Sequence, residues 1–388
     1  MRPAFPRRGL SIAAVAVAAL LAACASDTPT RAEAEAARVA AEAAARLGPP
    51  IALNASVAEA AAVYIAFNRD MAALEGGFTS AAQIQDALRR GSAYDPDQIS
   101  RGLVAYASII ALQSPEFVNG LRQYTGDPAA RERLVARIVA DPGYASTLPG
   151  AEAAAGLMMT ALADDVRALG RAADSLENDA YAIQARHDPR RSWAVAEVPD
   201  RLGRLERAKT RSATPMLASA AQAANLSTAA HAGVGLGIVG GPRKPPYPPA
   251  VVNGLALAAL AALGSAGENA RANTDALQFD PVSQRCLAMS KLNLFQCLAA
   301  SRPNYEDIFC VGRHIVRDLA TCARGAAMPA ALVTVSDVTT VDVPDKAAEP
   351  IIITPVPAPE PSPAPPPRPD ASVTGRLNSE PARSPSRS

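Results

Sequence analysis

The chain has 388 residues, 49% of them hydrophobic and only 4% aromatic, and 38 basic residues balance 37 acidic ones to a net charge of +1. That balance leaves no basic footprint for nucleic acid. A core so poor in rings has to be built from Ala, Leu, Val and Ile, and alanine has the highest helix propensity of all, so the composition predicts an all-α protein.

Residues 1–9 carry Arg2, Arg7 and Arg8 without an acid, and residues 10–21 then run apolar without a charge. A basic segment before about 7–15 apolar residues is the layout of a secretory signal. It is shorter than the roughly 20 residues that a membrane span needs. The segment ends Leu21-Ala22-Ala23-Cys24, which resembles the lipobox of bacterial lipoproteins. The resemblance implies a diacylglyceryl group on the Cys24 thiol, cleavage before Cys24 and acylation of the new amine. Two or more acyl chains anchor a protein stably where one binds marginally. Ala25 and Ser26 follow, with no aspartate at the second mature position. By analogy with enterobacterial lipoproteins, this implies the outer membrane, facing the periplasm. The plainer alternative is ordinary secretory cleavage beside an unmodified cysteine. Arg7-Arg8 is flanked poorly for a twin-arginine signal, which favours the general secretory route.

Five segments follow: a signal over residues 1–23, a linker helix over 24–50, a helical domain over 51–275, a disulfide-stapled hairpin over 276–328 and a tail over 329–388. The linker is Ala/Glu/Arg-rich and stops at Gly48-Pro49-Pro50. Asn54 or Ser56 is placed to cap the next helix, whose Val57, Ala60, Tyr64, Phe67, Met71 and Leu74 recur at helical steps. Thr79 or Ser80 opens a short helix. Of the Asp-Pro pairs at positions 95, 127, 141, 188 and 280, at least three are expected to be helix starts, because aspartate accepts from orphan N–H groups and proline at the first position has none to waste. The strongest helix is predicted over about residues 151–186, with Met158, Leu162, Val166, Leu169, Ala173, Leu176, Ala180 and Ile183 forming a heptad-like seam. Packing within the bundle is preferred over a coiled-coil dimer.

Another helix is expected near residues 199–210, and Thr214-Pro215 is expected to open an Ala-rich helix. The glycine-rich run over 231–241 and an Ala/Leu-rich helix over 251–263 come next. Residues 331–343 alternate weakly like a strand. Residues 344–388 hold 13 of the 34 prolines, and such a tail is expected to be extended and disordered.

Besides Cys24 there are Cys286, Cys297, Cys310 and Cys322. An even, clustered set in an exported chain reads as two disulfides. Cys286 and Cys297 are 11 residues apart, close to three helical turns, while Cys310 and Cys322 are 12 apart. With a turn at residues 301–304, an antiparallel hairpin pairs Cys297 with Cys310 and Cys286 with Cys322. The logic is similar to that of twin-cysteine helical hairpins, but the spacings differ and no shared function follows. A zinc site would want a close Cys-x-x-Cys spacing.

No residue stands out as catalytic, cofactor-binding or metal-ligating. Gly235-x-Gly237-x-x-Gly240 matches a dinucleotide fingerprint in letters, but it follows an Ala-rich helical pattern rather than a strand. Gly233, Gly237 and Gly241 also have glycine-zipper spacing, although a buried helix or an apolar loop is the simpler reading. His187, His231 and His314 show no ligand spacing, and no Gly-x-Ser-x-Gly elbow exists. Asp164-Asp165 falls on the expected polar side of the long helix, a solvated face. The basic stretch over residues 186–211 reads as a solvated face or loop in preference to an anionic partner site, and Trp193 within it as local packing. The leading expectation is a non-enzymatic structural or accessory binding module of the envelope, touching the membrane through its lipid and an envelope protein partner, without cofactor. The alternatives are an enzyme acting on envelope polymers with carboxylates from several helices, and a membrane-associated oligomer built on the glycine-rich segment.

Overall fold

The computed structural model describes Glu35, residues 49–186 and residues 188–328. Cys24, His187, the signal, most of the linker and the tail with its weak strand pattern lie outside these residues. The described part is all-α, with fourteen α-helices and no strand. All of it belongs to one compact unit that ends at Ala331.

The helices begin where side-chain chemistry lets them. All five Asp-Pro aspartates accept a backbone N–H two or three residues on: Asp95 from Gln98 at 2.9 Å, Asp127 from Ala129 at 2.9 Å, Asp141 from Gly143 at 3.0 Å, Asp188 from Arg190 at 2.9 Å and Asp280 from Val282 at 3.1 Å. Three of them open the α-helices α3 (Pro96–Ala111), α5 (Pro128–Ala140) and α12 (Pro281–Ala300). The other two open short 3-10 turns at Pro142–Thr147 and Pro189–Arg191.

Helix α1 (Ala55–Ala72) starts at Asn54, but that side chain makes no cap bond. It donates instead to the Ala266 carbonyl at 3.1 Å and to Thr274 Oγ1 at 2.8 Å, tying the helix start to a later loop. Ser80 caps α2 (Ala81–Gly91), and α4 covers Pro115–Arg122. Thr214-Pro215 does not open the helix expected there. The backbone runs on unwound, Met216 N–H bonds the Gln98 side chain at 2.9 Å, and α9 (Ala220–Ala232) begins only behind the Ser219 cap.

Helix α6 (Ala151–Ala185) is the long element, and every residue of its predicted seam is buried. Its partners are α1, α3 and the C-terminal helices of the same chain, so the seam is covered from within. The middle layer is built on small residues. α1 packs most extensively on α3, and α3 is crossed by α10 (Pro249–Ala262), an Ala/Leu helix buried almost throughout. Gly102 of α3 permits this closeness, since a Cβ there would lie 2.5 Å from the Ala60 carbonyl oxygen of α1.

The C-terminal hairpin comprises α12, α13 (Asn304–Val311), a π-helical turn Gly312–Arg317 and α14 (Asp318–Ala327). Disulfides join Cys286 to Cys322 and Cys297 to Cys310, with Cα separations of 5.6 and 5.7 Å. The hairpin packs on α6 and α3, and its Leu287, Leu294, Ile308 and Val316 share one buried cluster with residues 51–275. Short helices α7 (Ser192–Val195), α8 (Arg201–Ser212) and α11 (Arg271–Leu277) complete the fold.

Candidate functional site: an arginine-lined groove and a half-buried polar cluster

Sequence reading treats the basic stretch as a solvated face, and the structure corrects this at Arg204. Asp200 caps α8 by accepting from Gly203 N–H at 2.9 Å. From that start the helix turns Arg204 inward, where it is 1% exposed against a fully buried Asp307. Its Nη1 donates to Asp307 and its Nη2 to the Leu298 carbonyl, while its buried Nε has no partner. Asp307 also accepts from Gln85 Nε2 and from Ser301 Oγ, each at 2.9 Å. The pair joins α8, α2 and the hairpin at one buried point. The physical reason is geometric: α8 packs on α12 and α2, so one face of a helix full of charges has no access to water.

Above this pair, α2 and α8 enclose a groove of about 760 Å³ lined by Arg89, Arg207 and Arg211 and one acid, Glu206, with the buried Arg204 at its floor. Arg89 pairs with Asp86 and Arg207 with Asp200, and both pairs are largely exposed. Exposed pairs contribute only about 0–1 kcal/mol and exchange partners readily. Arg211 closes no ion pair among the described residues. Glu206 is engaged by Lys209 at 2.9 Å. A groove of this kind is built to receive anionic oxygens, because guanidinium forks match carboxylate and phosphate geometry.

The second place is where α6 crosses α1 and α3. Asp165, expected on a solvated face with Asp164, is half-buried there. Asp164 does point outward and pairs with Arg167. The difference follows from the crossing: α1 and α3 cover the flank of α6 beside its seam, which periodicity within one helix does not reveal. Burial pushes the Asp165 carboxyl up to about 6, Arg69 opposing and Asp164 reinforcing the shift.

Beside it, Tyr64 is 1% and Asn68 is 4% exposed, and neither the Tyr64 hydroxyl nor either polar atom of the Asn68 amide closes a hydrogen bond. The amide nonetheless lies near enough to ease both Tyr64 and Asp165 towards ionisation. The Tyr64 and Tyr106 rings are 6.0 Å apart, and burial followed by the Asp165 charge raises the Tyr106 hydroxyl to about 12. Arg69 and Tyr106 line a hollow of about 470 Å³ closed on its far side by α9 and residues 234–236.

That far side is the glycine-rich run. It forms neither a zipper helix nor a dinucleotide turn. Gly233 ends α9 in the left-handed region, and Gly235 and Gly237 follow at φ of 115° and 65°, which no continuing helix allows. The run is an extended loop with Val234 and Val239 exposed.

The remaining residues singled out in sequence do not converge. His231 is exposed and bonds the Ser227 carbonyl oxygen at 2.6 Å, and His314 stands 3.4 Å from Asp318. Trp193 is partly buried near Arg191, whose guanidinium lies 5.7 Å from its ring. Among the described residues no group of three or more His, Cys, Asp or Glu could hold a metal ion. There, too, no helix is long and apolar enough to cross a membrane. The hollows of about 760, 410, 470 and 170 Å³ each carry at most one carboxylate in their walls.

The fold and site thus define an all-α, disulfide-stapled helical protein with an arginine-lined groove. No protein-family model matches the sequence, and neither a curated protein nor a solved structure matches the chain.

Proposed function

We propose that this chain is an accessory binding module of the bacterial cell envelope. Lipid on Cys24 tethers it to a membrane, and the α2–α8 groove grips an acidic envelope polymer. The observation that carries the reading is the groove itself, where Arg89, Arg207 and Arg211 border one hollow whose single carboxylate, Glu206, is engaged by Lys209, while Arg204 is buried on Asp307 beneath them. Its volume of about 760 Å³ suits a segment of chain rather than a single ion. The near-zero net charge means that recognition is local to this groove instead of a property of the whole surface.

The test is binding of the purified mature chain to polygalacturonate, with neutral dextran as control. The expected result is salt-sensitive binding to the polyanion that the triple variant Arg89→Glu/Arg207→Glu/Arg211→Glu loses at least tenfold. Arg204 is left in place because it supports the fold. Equal affinity of the triple variant, or no preference over dextran, would end the proposal. The tether is tested separately by intact mass of the membrane-extracted protein, which should begin at Cys24 and carry added acyl mass.

A further inference from the structure

We infer that the hollow between the ends of α6 and α12 and helix α13 is a second binding site, and that it takes an organic cation with a quaternary ammonium head. It shares no residue with the arginine groove and does not depend on that reading.

The rings come first. Aromatic residues make up only 4% of the chain, yet Tyr181, Tyr305 and Phe309 are three of the nine residues that line this hollow of about 410 Å³. Single exposed rings need no explanation, but three on one concave surface do. Tyr305 and Phe309 stand four residues apart on α13 and so share a face. Tyr181 enters from the last turns of α6 and remains 52% exposed. Its ring centre is 5.8 Å from that of Phe309, with the two planes 61° apart. Rings at such an angle form a corner, which wraps a rounded group, rather than the flat platform on which a sugar ring would stack. The Cys297–Cys310 disulfide ties the end of α12 to α13, and Cys297 itself lines the hollow, so the corner is set before a ligand arrives.

The charge comes second. Glu306 is the one charged residue in the lining. Its Oε2 accepts from the Arg302 N–H at 2.7 Å, which holds the carboxylate in place, and it closes no ion pair among the described residues. The other polar side chains there, Gln184 and Ser301, are neutral. Arg201 donates to the Ala299, Ala300 and Ser301 carbonyls and does not line the hollow. The faces of aromatic rings carry the negative part of their quadrupole, so rings and carboxylate favour the same sign of ligand. A cation within about 6 Å of a ring centre is attracted to it. A primary ammonium would have to leave water and find acceptors for three N–H donors. A quaternary one donates no hydrogen bond and presents methyl groups to the rings. The volume lies within the ordinary range for small-ligand sites.

The experiment titrates choline and its neutral isostere 3,3-dimethylbutan-1-ol into the full mature chain by calorimetry at pH 7.5. Choline should bind, and the isostere should bind at least tenfold more weakly, because the two differ in charge and hardly in shape. Glu306→Gln keeps an acceptor for Arg302, and Tyr181→Leu changes an exposed position. Each should lose choline binding at least tenfold while keeping the wild-type circular dichroism, and Tyr181→Phe should retain it. Arg207→Glu, in the arginine groove, should leave choline binding unchanged. Vesicles of phosphatidylcholine added to the Cys24→Ser chain, which cannot take a lipid, identify the source of the cation. Competition with choline assigns a lipid head group, and no competition assigns a soluble cation. Choline that does not bind, an isostere that binds as well, an unaffected Glu306→Gln, or N-acetylglucosamine bound in place of choline would each overturn the proposal.

Discussion

Replacing Arg204 with Met isolates the Asp307 carboxylate in the interior. The residue fills a similar volume, so the loss is electrostatic rather than a cavity. Asp307 would keep only its neutral donors, Gln85 and Ser301, with its side chain fully buried. Removing one partner of a buried pair costs about 3–5 kcal/mol, whereas exchanging both for apolar groups is far milder. The double variant Arg204→Met/Asp307→Leu still strands the Gln85 and Ser301 donors, at about 1 kcal/mol each. It should therefore cost about 2 kcal/mol, less than the Arg204 single change despite altering one residue more. The assay is urea unfolding with both disulfides intact, followed by helical circular dichroism. Two probes of the transition should coincide before a free energy is extracted. A single variant costing under about 1 kcal/mol, or a double variant costing the sum of the two singles, would refute the reasoning.

Lys291 is 6% exposed, its Nζ donates to the Ser92 and Tyr94 carbonyls at 2.9 and 2.5 Å, and it lies 3.5 Å from the Tyr94 ring centre. Burial lowers its ammonium to about 7, with Asp95 opposing. Between that value and the unfolded one near 10.5, the unfolded chain binds more protons, so stability rises with pH, by up to roughly 1.4 kcal/mol per unit. Urea midpoints from pH 7 to about 9.5, below ordinary tyrosine ionisation, should climb in the wild type and stay level in Lys291→Met; parallel curves would contradict this. The disulfides close sequence separations of 36 and 13 residues, worth about 3–4 kcal/mol each by loop entropy against roughly 5–15 kcal/mol for a whole domain. Reductant should lower the urea midpoint sharply, and an unchanged midpoint would show that the bridges add nothing.

What the sequence makes legible is whatever depends on neighbours along the chain. An aspartate before a proline carries its own capping chemistry, so at least three helix starts could be expected among the five pairs, although nothing local says which open an α-helix and which a 3-10 turn. Cysteine spacing reports helical phase, and the hairpin pairing followed from it. The seam of α6 was visible because eight apolar residues keep step over 26 positions (158 to 183). Asp165 was not legible, since its burial is created by α1 and α3, which lie about 55 to 110 residues upstream. Arg204 was hidden for the same reason, as the carboxylate that makes its burial tolerable is a hundred residues downstream. The glycine-rich run matched motifs in its letters alone, and of the two simpler readings, a buried helix or an apolar loop, the loop is the one that forms. Its spacing fits a zipper only on a helix, and the positive φ angles at Gly233, Gly235 and Gly237 exclude one. A buried polar cluster made by crossing helices has no sequence signature beyond polar residues beside apolar seams, such as Asn68 next to Phe67.

The close crossing of α1, α3 and α10 constrains how this protein can diverge. A carbon added at Gly102 would stand 2.5 Å from a backbone oxygen, and one at Gly254 would meet the Ala107 side chain at 3.0 Å. Backbone cannot retreat without shifting a whole helix, so these positions admit almost no mutational drift. The large apolar residues around them can exchange among Leu, Ile, Met and Val with modest penalty. Distant descendants of the same ancestor should therefore keep the small residues at 102, 107 and 254 in register while their bulky neighbours scatter. That spacing of absences, more than any run of shared large residues, is the trace by which kinship would be recognised.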